Sequence, residues 1–311
     1  MTDKNQFSER LSSNVPIIID GGLSNELEAL GLDLNNSLWS ASALLENQDK
    51  IKQAHINYLK AGADVIITSS YQASVRGFAT IGILENQANE MTATTVKIAN
   101  AAVEEYLDNN ATAKRRPLIA ANIGPYGASM ADGSEYTGEY GLNDDELSDF
   151  HRDRLMLLDN TQADILACET IPSMQEAKVL HDILLEAKTP AWICFSCKDD
   201  KHANDGTPIE EMAMLFSDHP NVLAVGINCT APQYASELIA RIHKAIPQKT
   251  IIAYPNSGER YDAATKAWSG TSSPISCGLA AQKWIEAGAS IIGGCCRMGP
   301  DHIKEIKNKC C

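Results

Sequence analysis

The sequence predicts a single (β/α)8 TIM barrel, and three observations carry that expectation. Eight short apolar, β-branched runs alternate with segments of helical periodicity. No Pro/Ser-rich linker or charge block divides the chain. Polar and ligand-type residues gather where the runs end, the rim at which such barrels build their sites. A doubly wound open sheet is the main alternative, but the Gly-x-Gly-x-x-Gly it usually carries after its first strand is absent. Residues 1–311 are therefore expected to form one domain, with its core at about 16–306.

Pro16-Ile-Ile-Ile-Asp20 is the first expected strand, followed by Gly21-Gly22 and a helix from Leu23 to Leu30. From about Trp39 to Lys60, Leu44, Leu45, Ile51, Ile56 and Leu59 recur at helical spacing, and Ala61-Gly62-Ala63 closes the segment. Asp64 to Ser70 is strand two. A helix from Leu84 to Leu107 precedes strand three, Pro117 to Asn122, and one from Asp145 to Asn160 precedes strand four, Asp164 to Glu169. Ser173, an N-cap residue type, opens a helix to Ala187 and strand five, Ala191 to Ser196. The pairs continue with Pro208–Ser217 and Val222–Asn228, Pro232–Ala245 and Thr250–Tyr254, Cys277–Ala287 and Ser290–Gly294. A helix from Pro300 to Lys309 ends the chain.

The totals exclude several classes. A formal net charge of −14 disfavours nucleic acid and anionic membrane surfaces as partners. No apolar run approaches the roughly 20 residues that span a bilayer, and the first ten residues lack the apolar core of a signal peptide. The expected location is the cytoplasm. Nine cysteines in such a chain point to reduced thiols or metal ligands rather than a disulfide framework.

The most informative stretch is Ile291-Ile-Gly-Gly-Cys-Cys-Arg297. Neighbouring side chains on a strand face opposite ways, so Cys295 and Cys296 reach one ion only if the chain turns. Gly293 and Gly294 are expected to supply that turn. Cys229 ends another apolar run and is the candidate third ligand. Three thiolates favour zinc and leave a fourth position open. They also over-neutralise Zn²⁺, which makes it a poor activator of water but a good holder of a nucleophilic thiolate. A vicinal redox pair, zinc storage or plain packing remains the alternative for the three cysteines. Cys168, Cys194, Cys197 and Cys277 are expected to be buried as small hydrophobes, and Cys310 with Cys311 to lie in a mobile tail.

Asp20 and Glu169 end apolar runs, where an unpaired charge is costly, and they suit a cationic ammonium group. Backbone N–H groups of Gly21 and Gly22 suit a carboxylate, so together they describe an amino-acid site. Tyr71, Asn122 and Asn228, at the ends of strands two, three and six, complete the expected substrate-binding set. The loop Ala131-Asp-Gly-Ser-Glu-Tyr-Thr-Gly-Glu-Tyr140 offers acids and aromatic faces that suit a sulfonium or quaternary ammonium ligand. None of the seven histidines has ligand spacing, which argues against a zinc hydrolase.

Asp20-Gly-Gly22, Ser70-Tyr-Gln-Ala73, Gly124-Pro-Tyr-Gly-Ala128, Ala131-Asp-Gly-Ser-Glu-Tyr136, Ala167-Cys-Glu-Thr170, Gly226-Ile-Asn-Cys229, Tyr254-Pro-Asn-Ser-Gly258 and Gly293-Gly-Cys-Cys-Arg297 resemble the homocysteine S-methyltransferase family. The likeness runs from about Pro16 to Ile306. It implies a zinc-containing, homocysteine-binding barrel that makes methionine, with Cys229, Cys295 and Cys296 matching the zinc ligands and Asp20 and Glu169 holding the homocysteine amino group. No catalytic side chain is implied beyond the zinc-bound substrate thiolate. The Ser-Tyr-Gln-Ala and Ala-Asp-Gly-Ser-Glu-Tyr stretches most resemble the branch using S-methylmethionine, with S-adenosylmethionine as a second donor; betaine is the alternative. Ser24-Asn25 and Ala121-Asn-Ile123 depart from the family's Ala-Thr and Gly-Ser-Val, and neither touches the cysteine set.

Overall fold

The structure, a computed structural model, describes residues 6–13, 15–34, 43–111, 113–130, 132–262, 267–269 and 272–311. The expected helix start at Trp39 and the loop residue Ala131 lie outside the described residues.

Eight parallel strands form the barrel: β1 (Ile17–Ile18), β2 (Val65–Ile67), β3 (Leu118–Ile123), β4 (Ile165–Ile171), β5 (Ala191–Phe195), β6 (Val222–Asn228), β7 (Thr250–Tyr254) and, after a two-stranded hairpin of β8 (Arg260–Asp262) and β9 (Ala267–Ser269), β10 (Ala289–Ile292). They pair in the order β1-β10-β7-β6-β5-β4-β3-β2. A parallel bridge between Ile19 and Val65 closes the ring, so the eight-stranded sheet has no open edge. The hairpin is the one sheet element that the apolar pattern does not announce.

Period-two alternation divides each strand between two cores. Ile17, Ile19, Val65, Leu118, Ala120, Ile165, Ala167, Trp192, Ala224, Ile252 and Ile291 fill the barrel. Their neighbours, such as Ile18, Ile66, Ile119, Ala121, Leu166 and Ile193, pack outward on the helices. Both faces are buried, which is why these strands appear in the sequence as continuous apolar runs. Helix α1 (Gln6–Leu11) was not expected; its Phe7 is buried in the inner cluster, with its ring 6.1 Å from that of Trp192.

The outer helices follow the apolar periodicity closely. They include α2 (Leu23–Ala29), α4 (Gln48–Ala61), α6 (Glu85–Asp108), α7 (Asp144–Asp159), α8 (Met174–Leu184), α10 (Pro232–Ala245), α11 (Pro274–Glu286) and α12 (Pro300–Cys310), with shorter α3 (Ala43–Glu46), α5 (Val75–Ala79) and α9 (Ile209–Met214) between them. Ser173 caps α8 as expected, its side chain accepting from the Glu176 N–H. The expected tail placement of Cys310 is corrected: α12 continues through it, and it packs half-buried against the outer core while Cys311 is exposed. Cys168, Cys194, Cys197 and Cys277 are buried. Among the described residues no helix is long and apolar enough to cross a membrane.

Candidate metal and substrate site

The parity that puts Ile165 and Ala167 inside the barrel also turns Glu169 inward, at its C-terminal layer. The same alternation turns Asn122, Asn228 and Tyr254 inward at the ends of β3, β6 and β7. Glu169 is held there from two sides: Asn122 Nδ2 donates to Oε1 at 2.7 Å and the Tyr254 hydroxyl to Oε2 at 2.9 Å. Burial pushes the Glu169 carboxyl up to about 7, against the pull of those two hydrogen bonds. Asp20 is buried nearby. Its Oδ2 accepts from the Ile67 N–H at 2.8 Å, and its Oδ1 has no partner. Burial, reinforced by the Glu169 charge, raises it well above the ordinary carboxylate range. No lysine, arginine or histidine pairs with either acid among the described ion pairs.

The cysteines converge beside these acids. The sulfurs of Cys229, Cys295 and Cys296 lie within 4.8 Å of one another, the one group of this kind found among the described residues. Cys229 and Cys295 are joined as a disulfide, with their Cα atoms 5.6 Å apart, and the Cys296 sulfur stands 3.8 Å from that of Cys229. The donor set fits a thiophilic cation once the pair is reduced. Without a cation, burial pushes the Cys296 thiol up to about 12, and Glu169 and Glu135 push it the same way. A coordinated divalent ion reverses that preference.

The turn that presents Cys295 and Cys296 differs in mechanism from the expectation. Gly293 and Gly294 are not in the left-handed region; Arg297 is, at φ 64°, as is Cys229 at φ 45°. The glycines serve close approach instead. A Cβ on Gly293 would sit 2.3 Å from Ile19 Cγ1, and one on Gly294 would sit 2.6 Å from Met298 Cβ. The turn is then stitched to its neighbours: Gly294 N–H donates to Asp20 O, Cys295 N–H to Pro255 O and Ser257 N–H to Cys296 O, all at 3.0–3.1 Å. Asn25 accepts from the Arg297 N–H at 2.7 Å, so a residue that departs from the family pattern supports the left-handed step. Glu259 pairs with the Arg297 side chain at 2.7 Å.

Three of the residues expected to contact substrate have neighbours of their own within the protein. Gly22 N–H donates to Met298 O at 2.9 Å and is not available to a carboxylate. Gly21 packs against the same residue, where a Cβ would lie 2.1 Å from Met298 O. The amide of Asn228 is engaged at both ends by Thr170, accepting from its N–H at 2.6 Å and donating to its Oγ1 at 2.8 Å. Thr170 is β-branched at φ 62°, a costly conformation. Asn228 thus steadies the bend after Glu169, where the β4–β5 register shifts and β4 runs on to Ile171. Tyr71 is half-buried at the rim, packed against Gly124. Tyr254 and Asn25 are absent from the expected set; Tyr254 lay in a quoted motif, but only strand register reveals its partner.

A family model described as homocysteine S-methyltransferase matches residues 17–310. The chain belongs to the homocysteine S-methyltransferase family. Its relatives include homocysteine S-methyltransferase YbgG of Bacillus subtilis, 48% identical over 93% of each chain, and the homocysteine S-methyltransferase of Escherichia coli, 39% identical over 99% of each. A selenocysteine methyltransferase of Astragalus bisulcatus is 41% identical over 93% of this chain and 90% of its own length. Among solved structures, the homocysteine methyltransferase MmuM of Escherichia coli in its metallated form superposes with a TM-score of 0.87 at 36% identity, over 99% of this chain and 100% of that one. Its oxidized form superposes equally well. A relative of this fold is thus known in a metallated form, and the cysteine cluster is the candidate metal site of this chain.

Proposed function

We propose that the chain transfers a methyl group from an S-methylsulfonium donor to homocysteine, forming methionine, as one domain spanning 1–311. S-methylmethionine is the preferred donor and S-adenosylmethionine the second. The observation that carries this reading is the meeting of three cysteine sulfurs with two buried acids that no cation among the described residues pairs with. The donor set fits zinc, a thiophilic cation that three thiolates hold well. A cytoplasmic setting would keep Cys229 and Cys295 reduced for that role.

Zinc on Cys229, Cys295 and Cys296 would keep the homocysteine sulfur ionised and nucleophilic near neutral pH. The protein's own task is placement. Asp20 and Glu169 receive the ammonium, Asn122 and Tyr254 fix the Glu169 carboxylate, and Asn228 with Thr170 fixes the strand end that carries it. Homocysteine gives up its thiol proton to solvent, its sulfur forms a bond to the donor methyl, and the donor's S–CH3 bond breaks with the electron pair returning to the donor sulfur. The donor leaves as a neutral thioether. No general base of special pKa is needed, because the sulfonium is already an activated leaving group and alignment supplies most of the remaining acceleration.

The test is metal content by mass spectrometry together with methionine formation from homocysteine and, in parallel, S-methylmethionine, S-adenosylmethionine and betaine. One zinc per chain and turnover with the sulfonium donors are expected. Cys229→Ser, Cys295→Ser and Cys296→Ser are expected to keep the fold and lose both. Full activity without metal would overturn the mechanism, and turnover with betaine alone would overturn the donor.

A further inference from the structure

The site has more unmatched negative character than homocysteine can use. Among the described residues, buried side-chain oxygens without a hydrogen-bond partner occur at the rim on Asp20, Gln72, Asn122, Glu135 and Asn256. Of the buried nitrogens without a hydrogen-bond partner, those of His55, His151, Arg241 and His302 are on the outer helices, while Arg154 reaches inward from α7, its Nη2 donating to Gly124 O beside Tyr71. Asp20 and Glu169 suffice for one ammonium. Glu135 is a further acid, and the proposed homocysteine contacts do not use it.

Glu135 sits in a short 3-10 turn, Ser134–Tyr136, that packs on the end of β4, the strand carrying Glu169. The turn is held close by Gly127, where a Cβ would lie 2.3 Å from the Glu135 nitrogen. The residue is half-buried, its Oε2 is buried without a partner, and it enters none of the ion pairs among the described residues. Its charge reaches the site, where it adds to burial in raising the Tyr71 hydroxyl. Burial in turn pushes Glu135 itself up to about 7. A buried carboxylate without a cation is costly to keep, and a ligand that brings positive charge relieves the cost.

We propose that Glu135 is the counter-charge for the methyl donor's sulfonium, receiving it beside the Tyr71 ring with the methyl group directed at the cysteine cluster. This rests on the methyl-transfer reading above. A sulfonium donates no hydrogen bonds, so a carboxylate and an aromatic face are the partners it can use. The role has a kinetic signature. Positive charge on the donor sulfur disappears as the methyl leaves, so attraction to Glu135 is strongest before reaction and weakens in the transition state. Glu135 therefore strengthens donor binding and does not accelerate the transfer.

Glu135→Gln in the zinc-loaded enzyme is expected to raise KM for S-methylmethionine about tenfold or more, with kcat unchanged or slightly increased and KM for homocysteine unchanged. Calorimetry gives a second readout that requires no turnover. S-methylmethionine binding should weaken by a similar factor in Glu135→Gln, while binding of methionine, which lacks the sulfonium charge, should not change. Glu135→Asp should restore part of the loss. Turnover by the wild-type chain with an unchanged KM in Glu135→Gln overturns this inference alone, as does an equal loss of methionine and S-methylmethionine binding. Absence of sulfonium-dependent turnover in the wild-type chain overturns the proposed function and this inference together.

Discussion

The two ends of the barrel treat the acids at their strand termini in opposite ways. At the N-terminal end, Asp164 accepts from the Ile119 N–H at 2.8 Å and faces Arg116 Nη1 at 2.9 Å, while Asp64 accepts from the Ile18 N–H at 3.0 Å and faces Lys307 Nζ at 3.0 Å. Each pins the start of a strand and has a cation beside it. At the C-terminal end, Asp20 and Glu169 also accept hydrogen bonds from the protein, but burial raises both and no cation among the described residues pairs with them. The same side-chain chemistry thus stabilises the fold at one end and stores an unmet demand for positive charge at the other. The difference locates function at one rim without reference to any relative.

Neutralising one acid at each end is the strongest way to break this comparison. Asp164→Ala removes a nearly buried partner of Arg116 and of a backbone N–H, and is expected to cost about 3 kcal/mol of stability with little effect on KM for homocysteine. Glu169→Gln should do the reverse. It removes the proposed ammonium receptor and should lower kcat/KM for homocysteine roughly a hundredfold. It also removes a buried charge that the ligand-free protein carries at a cost of at most about 3 kcal/mol, so thermal unfolding should rise by several degrees. A loss of stability in Glu169→Gln would show that the acid is structural and the two ends alike.

The pH dependence has a definite sign. Glu169 has its ordinary value of 4.5 in the unfolded chain and about 7 in the folded one, so its neutral form is the one that folding favours. Its contribution to stability is full below about 4.5 and is lost as pH rises through about 7. Homocysteine binding runs the other way, because the ammonium needs the carboxylate. The kcat/KM for homocysteine should fall by about tenfold per unit below pH 7 and level off above it, and Glu169→Gln should flatten that limb. Paired thermal-unfolding and rate profiles with opposite slopes would sharpen the comparison; parallel slopes would contradict it.

What the sequence discloses about this rim follows from what is local. The strands are legible because burial on both faces leaves uninterrupted apolar runs, and the cysteines and acids are legible because they stand where the runs stop. The conformations at those stops are not. Adjacent glycines before Cys295 suggest a turn made by glycine, yet the left-handed steps fall on Arg297 and Cys229, where Asn25 and the neighbouring strand ends support them. Asn228 looks like a ligand contact until register sets its amide against Thr170, and Tyr254 looks like core until register sets its hydroxyl on Glu169. The plug formed by Phe7 is illegible for the same reason, since its partner Trp192 is far along the chain.

The smallest expected effect lies at the structural end. Lys307 and Asp64 form a partly exposed pair, with side chains 32% and 34% accessible. Solvent and salt screen such a contact, so Lys307→Ala should cost no more than about 1 kcal/mol, and less at high ionic strength. Asp64 would still accept from Ile18, and the cysteines at the opposite rim would not move. Metal content and the kinetic constants should therefore match those of the unaltered chain. A drop in zinc content or in methyl transfer after Lys307→Ala would mean that strand β1 transmits strain from one end to the other, where Asp20 O receives the Gly294 N–H beside the metal turn. The division of labour between the rims would then fail at the strand that joins them.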